Sequence, residues 1–254
     1  MGYDGLRTAS RSSPHPPTDV YPTTDSLGDG VEDVGSERRD RIAAFVREAV
    51  DSSGADGVVV PMSGGVDSTL TAMLATEALG SSRVFGLLLP CNLSDDSANH
   101  DAQVIAEALG VEYREIHLRP LLDRFEDLVG PAVEPEDRRR AIGNVLARLR
   151  MTSAYYVANA TNRLVLGTTN RTEWLLGYFT KHGDGGADLR PLAELYKTQL
   201  YALAYRMGVP RRIIEKPPTA GLWSGQTDEA DLGASYETVD AVLDRYGERG
   251  ERPA

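Results

Sequence analysis

Residues 58–80 read VVVPMSGGVDSTLTAMLATEALG. An apolar strand runs into Ser63, Gly64 and Gly65 and then into a helix. This layout turns successive backbone N–H groups and the positive end of a helix toward an anion. Ser63 and Ser68 add hydroxyl donors. No lysine opens the helix, as it would in a Walker-type phosphate loop, and Asp67 stands there instead. A carboxylate repels phosphate, so Asp67 makes chemical sense with a hard cation such as Mg²⁺ between the two. A tight turn with a capping aspartate is the plainer alternative, and this stretch alone leaves both open.

Other residue types could join such a site. Glu173 follows GTTNRT and, taken alone, is a solvated helix face. Asp184 and Asp188 flank Gly185 and Gly186, which makes either an Asp-Gly turn or a ligand loop. Of 27 basic residues only Lys181, Lys197 and Lys216 are lysine, all between positions 180 and 217. An arginine-rich chain that keeps lysine in one segment has a use there for a compact ammonium, unless the clustering is chance. Trp174 and Trp223 read as packing, and His182 alone makes no metal site. Cys91 has no base partner in the pattern and reads as a buried structural residue.

The elements that must position these residues alternate. Strands are expected at 57–62, 83–90, 111–118 and 163–168. Helices are expected at 35–50 with Ser36 as a cap, at 66–79, at 94–109 from Ser94 or Asp95, at 136–161, near 192–207 and at 235–246. The alternation predicts an α/β fold, a doubly wound parallel sheet with helices on both faces, of Rossmann-like type. Ligands bind beyond the carboxyl ends of such strands, where SGGVDS, LLLPCN and GTTNRTE all fall. Residues 1–35 are rich in Pro, Ser, Thr, Asp and Gly and are expected to be a disordered tail, with one domain over 36–254.

Composition bounds the function. The 254 residues are 41% hydrophobic, enough for one sizeable core. A net charge of −11 argues against a nucleic-acid partner and leaves a solvated surface or salt adaptation as its reading. One cysteine suits a reducing, cytoplasmic setting, and no apolar run reaches bilayer length.

SGGVDS resembles the pyrophosphate loop of N-type ATP pyrophosphatases. ARLRM, the segment from Leu164 to Leu200, KPPTAGLWSGQTDE and LGASYETVD narrow the likeness. They resemble the NAD synthetase family in its ammonia-dependent form, over about residues 38–246. The resemblance implies that Ser63, Gly64, Gly65, Val66, Asp67 and Ser68 would hold the phosphates of ATP, with Thr168, Lys197 and Thr219. By the same likeness Asp67 and Glu173 would hold Mg²⁺, and Asp67, Glu173 and Lys197 would serve catalysis. Arg148, Lys181, Asp184 and Asp188 would contact deamido-NAD. Ammonia would be the nitrogen donor, with no room in the chain for an amidohydrolase domain. A homodimer would form, with the helix at 136–161 as a partner surface. Leu88 stands where several members have a basic residue, and the basic C-terminal segment of some members is absent, which bears on the number of ATP and substrate contacts. The alternatives are another adenylating enzyme of the same loop type, which would call for a basic surface and paired cysteines, and a non-catalytic ATP-binding module, which would have no use for Glu173, Lys181 and Lys197.

Overall fold

The computed structural model describes residues 34–91, 96–223 and 225–248. Most of the expected N-terminal tail, and the expected helix start at Ser94 or Asp95, lie outside them. Four strands form one parallel sheet: β1 (Gly57–Pro61), β2 (Val84–Leu88), β3 (Glu112–Glu115) and β4 (Arg163–Val165), in the order β3-β2-β1-β4. Val58 pairs with Val84 on one side and with Leu164 on the other.

The sheet is apolar on both faces because its central strands carry apolar residues at successive steps. Val58, Val60, Val84, Leu88 and Leu164 point to one core. That core is closed by α1 (Val34–Ser53), α2 (Val66–Leu79), α3 (Asp96–Leu109) and α7 (Lys197–Arg206). Val59, Leu87 and Val165 point to the other core, closed by α4 (Arg119–Val129) and α5 (Arg138–Ala160). The doubly wound parallel sheet expected from the sequence is therefore present.

Several boundaries differ. Ser36 lies inside α1, not at its cap. α4 is additional to the expected helices, although Leu121, Leu122, Phe125, Leu128 and Val129 have helical spacing. β4 stops at Val165, short of the expected end; Leu166 N–H still donates to the Val59 carbonyl at 2.9 Å, and Leu166 also bridges Leu189. The expected helix near 192–207 begins only at Lys197. Before it, the chain turns so that Leu192 and Leu195 enter the core and the Leu195 carbonyl accepts from Arg171 N–H. At the C-terminal side, α10 (Tyr236–Val242) gives way to a wider helical turn, Leu243–Glu248.

Candidate active site

The carboxyl ends of β1, β2 and β4 open into a cleft of about 1160 Å³. After β1 the chain turns through Ser63, Gly64 and Gly65 into α2, whose N-cap, Gly65, has no side-chain bond. The first amides of α2 are thus not used by a capping side chain. Gly64 has φ +74, and a Cβ there would lie 1.9 Å from the Ala98 carbonyl oxygen of α3, so the turn requires glycine.

Ser63, Gly64, Gly65, Val66 and Asp67 line the cleft. Val66 sends its side chain into the core, which leaves its backbone for the cleft. Ser68 lies under the loop: its hydroxyl donates to the Gly65 carbonyl at 3.1 Å and accepts from Ser63 N–H at 3.2 Å. Its expected hydroxyl is thereby absorbed in bracing the turn.

Three elements converge on Asp67. Lys197, at the first position of α7, sets its ammonium 2.8 and 3.0 Å from the two Asp67 carboxylate oxygens and 3.2 Å from Glu173 Oε1. The lysine is 2% exposed, and the Tyr236 ring lies 5.2 Å from Nζ. Burial works against its charge, but Asp67 and then Glu173 outweigh burial and hold the ammonium above its ordinary range. Burial is also the largest influence on Glu173 and raises its pKa; Lys197 opposes this and the Asp67 carboxylate adds to it.

Asn170, which the sequence reading does not single out, ties the group together. Its amide donates to Asp67 Oδ1 at 3.0 Å. Its Oδ1 accepts from Glu173 N–H, and Glu173 Oε2 accepts from Asn170 N–H, which is a capping box at the start of α6 (Arg171–Leu176). The N-x-x-E spacing carried that signal. Behind them, the Thr172 hydroxyl accepts from Lys197 N–H at 2.9 Å and donates to Asp240. Asp228, in the short helix Asp228–Leu232 (α9), accepts from Tyr236 and Tyr178 hydroxyls at 2.8 and 3.1 Å.

Thr168, Thr219 and Asp184 line the same cleft. Asp184 is accessible from the cleft; desolvation by the surrounding protein raises its pKa, and its Oδ1 accepts from Thr180 N–H at 2.9 Å. Asp188 is placed differently. One oxygen accepts from Val165 N–H at 2.8 Å and the other from the Tyr155 hydroxyl at 3.0 Å, so its carboxylate clips β4 to α5. Arg148 and Lys181 meet each other, Arg148 Nε donating to the Lys181 carbonyl at 3.2 Å. They stand outside the lining of the cleft, whose α5 wall carries Arg139, Arg140 and Arg150 instead. Residues 148 and 150 of α5 lie about 200° apart around its axis, so Arg148 falls beside the cleft-facing strip, next to Asn144, and Arg150 within it. Trp174 packs on Phe179 with ring centroids 5.0 Å apart, and Cys91 is buried; Trp223 lines the cleft.

Among the described residues no group of three or more His, Cys, Asp or Glu could hold a metal. Asp67 and Glu173 nonetheless fit Mg²⁺. They are hard oxygen donors beside an anion loop, and Mg²⁺ is commonly held by one or two carboxylates together with phosphate oxygens and water.

A Rossmann-like parallel sheet, a lysine-free phosphate loop and a carboxylate pair at its mouth define a nucleotide-using enzyme of the ATP pyrophosphatase class. The NAD synthase family model matches residues 39–254, and the chain belongs to that family. It is 48% identical over 215 residues to an NH(3)-dependent NAD(+) synthetase of Methanosarcina acetivorans, covering 84% of this chain and 83% of that one. Among solved structures it resembles NMN synthetase from Francisella tularensis (34% identity, TM-score 0.76, 87% and 88% of the two chains). It also resembles the NH3-dependent NAD synthetase of Campylobacter jejuni in complex with nitrate (29%, 0.67, 87% and 97%).

Proposed function

We propose that this chain is a ligase that amidates the nicotinate carboxylate of deamido-NAD with ammonia at the expense of ATP, giving NAD, AMP and pyrophosphate. The observation that carries the reading is Lys197, buried between Asp67 and Glu173 beside a phosphate loop that has no lysine of its own.

A carboxylate is a poor acyl donor and needs a leaving group. Its oxygen attacks the α-phosphorus of ATP, the bond to the bridging oxygen breaks, and the electron pair departs with pyrophosphate. Ammonia then attacks the acyl carbon, the carbon–oxygen bond to AMP breaks, and the nitrogen sheds a proton to water. The amides of Gly64 to Val66, with the Ser63 hydroxyl, receive the departing pyrophosphate, and Lys197 offsets the charge that builds there. Thr168 and Thr219 hold ATP. Mg²⁺, when held by Asp67 and Glu173, supplies further neutralisation of phosphate charge. Alignment of the reactants supplies up to roughly 7–11 kcal/mol of the barrier. No covalent enzyme intermediate is required.

Asp184 and the arginines of α5 give deamido-NAD its contacts in the cleft. Arg148 and Lys181 would meet it at the rim, and Asp188 would act through the backbone that it positions. A homodimer accounts for apolar surface that a monomer would leave in water: Leu128 and Val133 are 64% and 66% exposed on and after α4, and Tyr156 stands out from α5. No described helix is long and apolar enough to cross a membrane, and the buried Cys91 suits a cytoplasmic setting.

The test is product analysis with ATP, Mg²⁺, ammonium and deamido-NAD. NAD, AMP and pyrophosphate are expected in equal amounts. The likeness to NMN synthetase makes nicotinate mononucleotide the second acceptor to try. A larger kcat/KM for the mononucleotide would transfer the assignment to it, and AMP release without an amide product from either would overturn the reading.

A further inference from the structure

The mechanism leaves the third lysine without a task. Lys216 opens the loop that follows α8 (Arg211–Ile214) and precedes Thr219 by three residues. Its side chain crosses to the phosphate loop. Nζ donates to the Gly64 carbonyl oxygen at 3.4 Å and pairs with Asp101 Oδ2 of α3 at 2.5 Å. Lys216 lines the cleft, as Gly64 and Gly65 do. The Ala98 backbone of α3 presses on Gly64 from outside, so α3, the loop and this lysine meet at one place.

The charges there do not match one to one. Asp101 is a buried carboxylate with two cations on it, since Arg212 Nε donates to its other oxygen at 2.7 Å. The Arg212 guanidinium neutralises the single charge of Asp101 through Oδ1, and Lys216 brings a second positive charge to Oδ2. The second positive charge is surplus to Asp101, yet it is held within 3.4 Å of the middle of an anion-binding turn. The residue types follow the same division. The chain uses arginine at position 212, where Nε meets one carboxylate oxygen, and lysine at position 216, where a compact charge on a thin stem reaches the Gly64 carbonyl.

We infer that Lys216 is a second catalytic lysine of this site. On ATP binding its ammonium turns from the Gly64 carbonyl to an oxygen of the β-phosphate, the group that leaves as pyrophosphate, while Arg212 keeps Asp101. Lys197 and Lys216 then flank the leaving group, one from the start of α7 and the other from the loop after α8. When the bond from the α-phosphorus to the bridging oxygen breaks, the electron pair and its charge move onto a group already faced by both ammonium ions. The assignment rests on the proposed reaction. The competing role is a staple that only pins residues 216–223 to the phosphate loop.

Binding of inorganic pyrophosphate in the presence of Mg²⁺, measured by calorimetry, separates the two, together with steady-state kinetics in ATP. Lys216→Met is expected to weaken pyrophosphate binding and to lower kcat/KM for ATP at least tenfold, with a fall in kcat as well as any rise in KM. Asp101→Asn removes the carboxylate that a staple would need but leaves the ammonium in place, and is expected to change pyrophosphate binding less than threefold. Lys216→Gln keeps a hydrogen-bonding side chain without the charge, and is read by the same numbers if the methionine variant does not fold. Pyrophosphate binding within twofold of wild type in the Lys216 variant, or an equal loss in Asp101→Asn, would overturn the assignment. Binding is read without turnover, so a wild-type chain that binds pyrophosphate but forms no NAD overturns the reaction and not the role of Lys216.

Discussion

The ammonium of Lys197 lies 2.8 Å from one oxygen of Asp67 and 3.0 Å from the other, across 130 residues of sequence. A point charge shared by both oxygens of a carboxylate leaves little room for anything wider. Lys197→Arg is therefore expected to cost tenfold or more in kcat/KM, about 1.4 kcal/mol, although it follows the chain's own preference for arginine. The planar guanidinium cannot enter the same space, and would still bind ATP while serving the transition state poorly. Arg206→Lys, at the other end of α7, is the control. Steady-state kinetics on both decide it, and near-wild-type values for Lys197→Arg would remove the residue from the site.

Asp67→Asn and Glu173→Gln keep volume and delete one negative charge each. Both are expected to lower Mg²⁺-dependent turnover at least a hundredfold with an unchanged circular-dichroism spectrum. Each variant leaves Lys197 one carboxylate partner, which is why the fold should survive. Titration of the rate with Mg²⁺ is the measurement, and a wild-type rate at saturation excludes that residue as a ligand.

Asn170 is fully buried and joins α6 to Asp67. Asn170→Ala removes an N-cap and is expected to cost about 1–2 kcal/mol of stability. It should also cost activity, because Asp67 loses one of the bonds that orient it. Thermal melts beside kinetics at a temperature where both proteins are folded would show the two effects. Full activity in the folded variant would mean that Lys197 alone orients Asp67.

Asp101 joins α3 to α8 through Arg212 and to the phosphate loop through Lys216. Burial pushes its carboxyl up, but Lys216 and Arg212 outweigh burial and hold it below its ordinary value of 3.8. The unfolded chain then binds the proton more readily, so this stabilisation is present above pH 3.8 and is lost as pH falls through the lowered folded value. Asp101→Asn is expected to be less stable than wild type at neutral pH by about 1–3 kcal/mol. The gap should narrow below pH 3.8, and denaturant melts across pH are the check. A gap that does not change with pH would mean that the charge of Asp101 contributes nothing.

Leu128 and Val133 mark the apolar face of α4 and the turn after it. Leu128→Glu is expected to convert a dimer to a monomer in multi-angle light scattering, with little change in the melt of the monomer. An unchanged mass would place the subunit contact on another surface.

Local pattern was enough for much of this protein. The apolar runs at 57–61, 84–88 and 163–165, with the glycines after the first and last of them, sufficed for a parallel sheet, because period and turn chemistry act between neighbours in sequence. The strand-to-helix turn with Asp67 at its edge was legible for the same reason, although the pattern alone left a phosphate site and a capped turn both open. Tertiary structure decided which charges meet. No periodicity links Lys197 to Asp67 or to Glu173, 130 and 24 residues away, and only packing of α7 against α2 and α6 brings them together. Packing also took Ser68 and Asp188 into the scaffold, since a buried polar atom must find its partner wherever the backbone supplies one. It set Arg150 in the wall of the cleft and Arg148 outside it, a difference that appears only when one face of α5 is laid against the sheet.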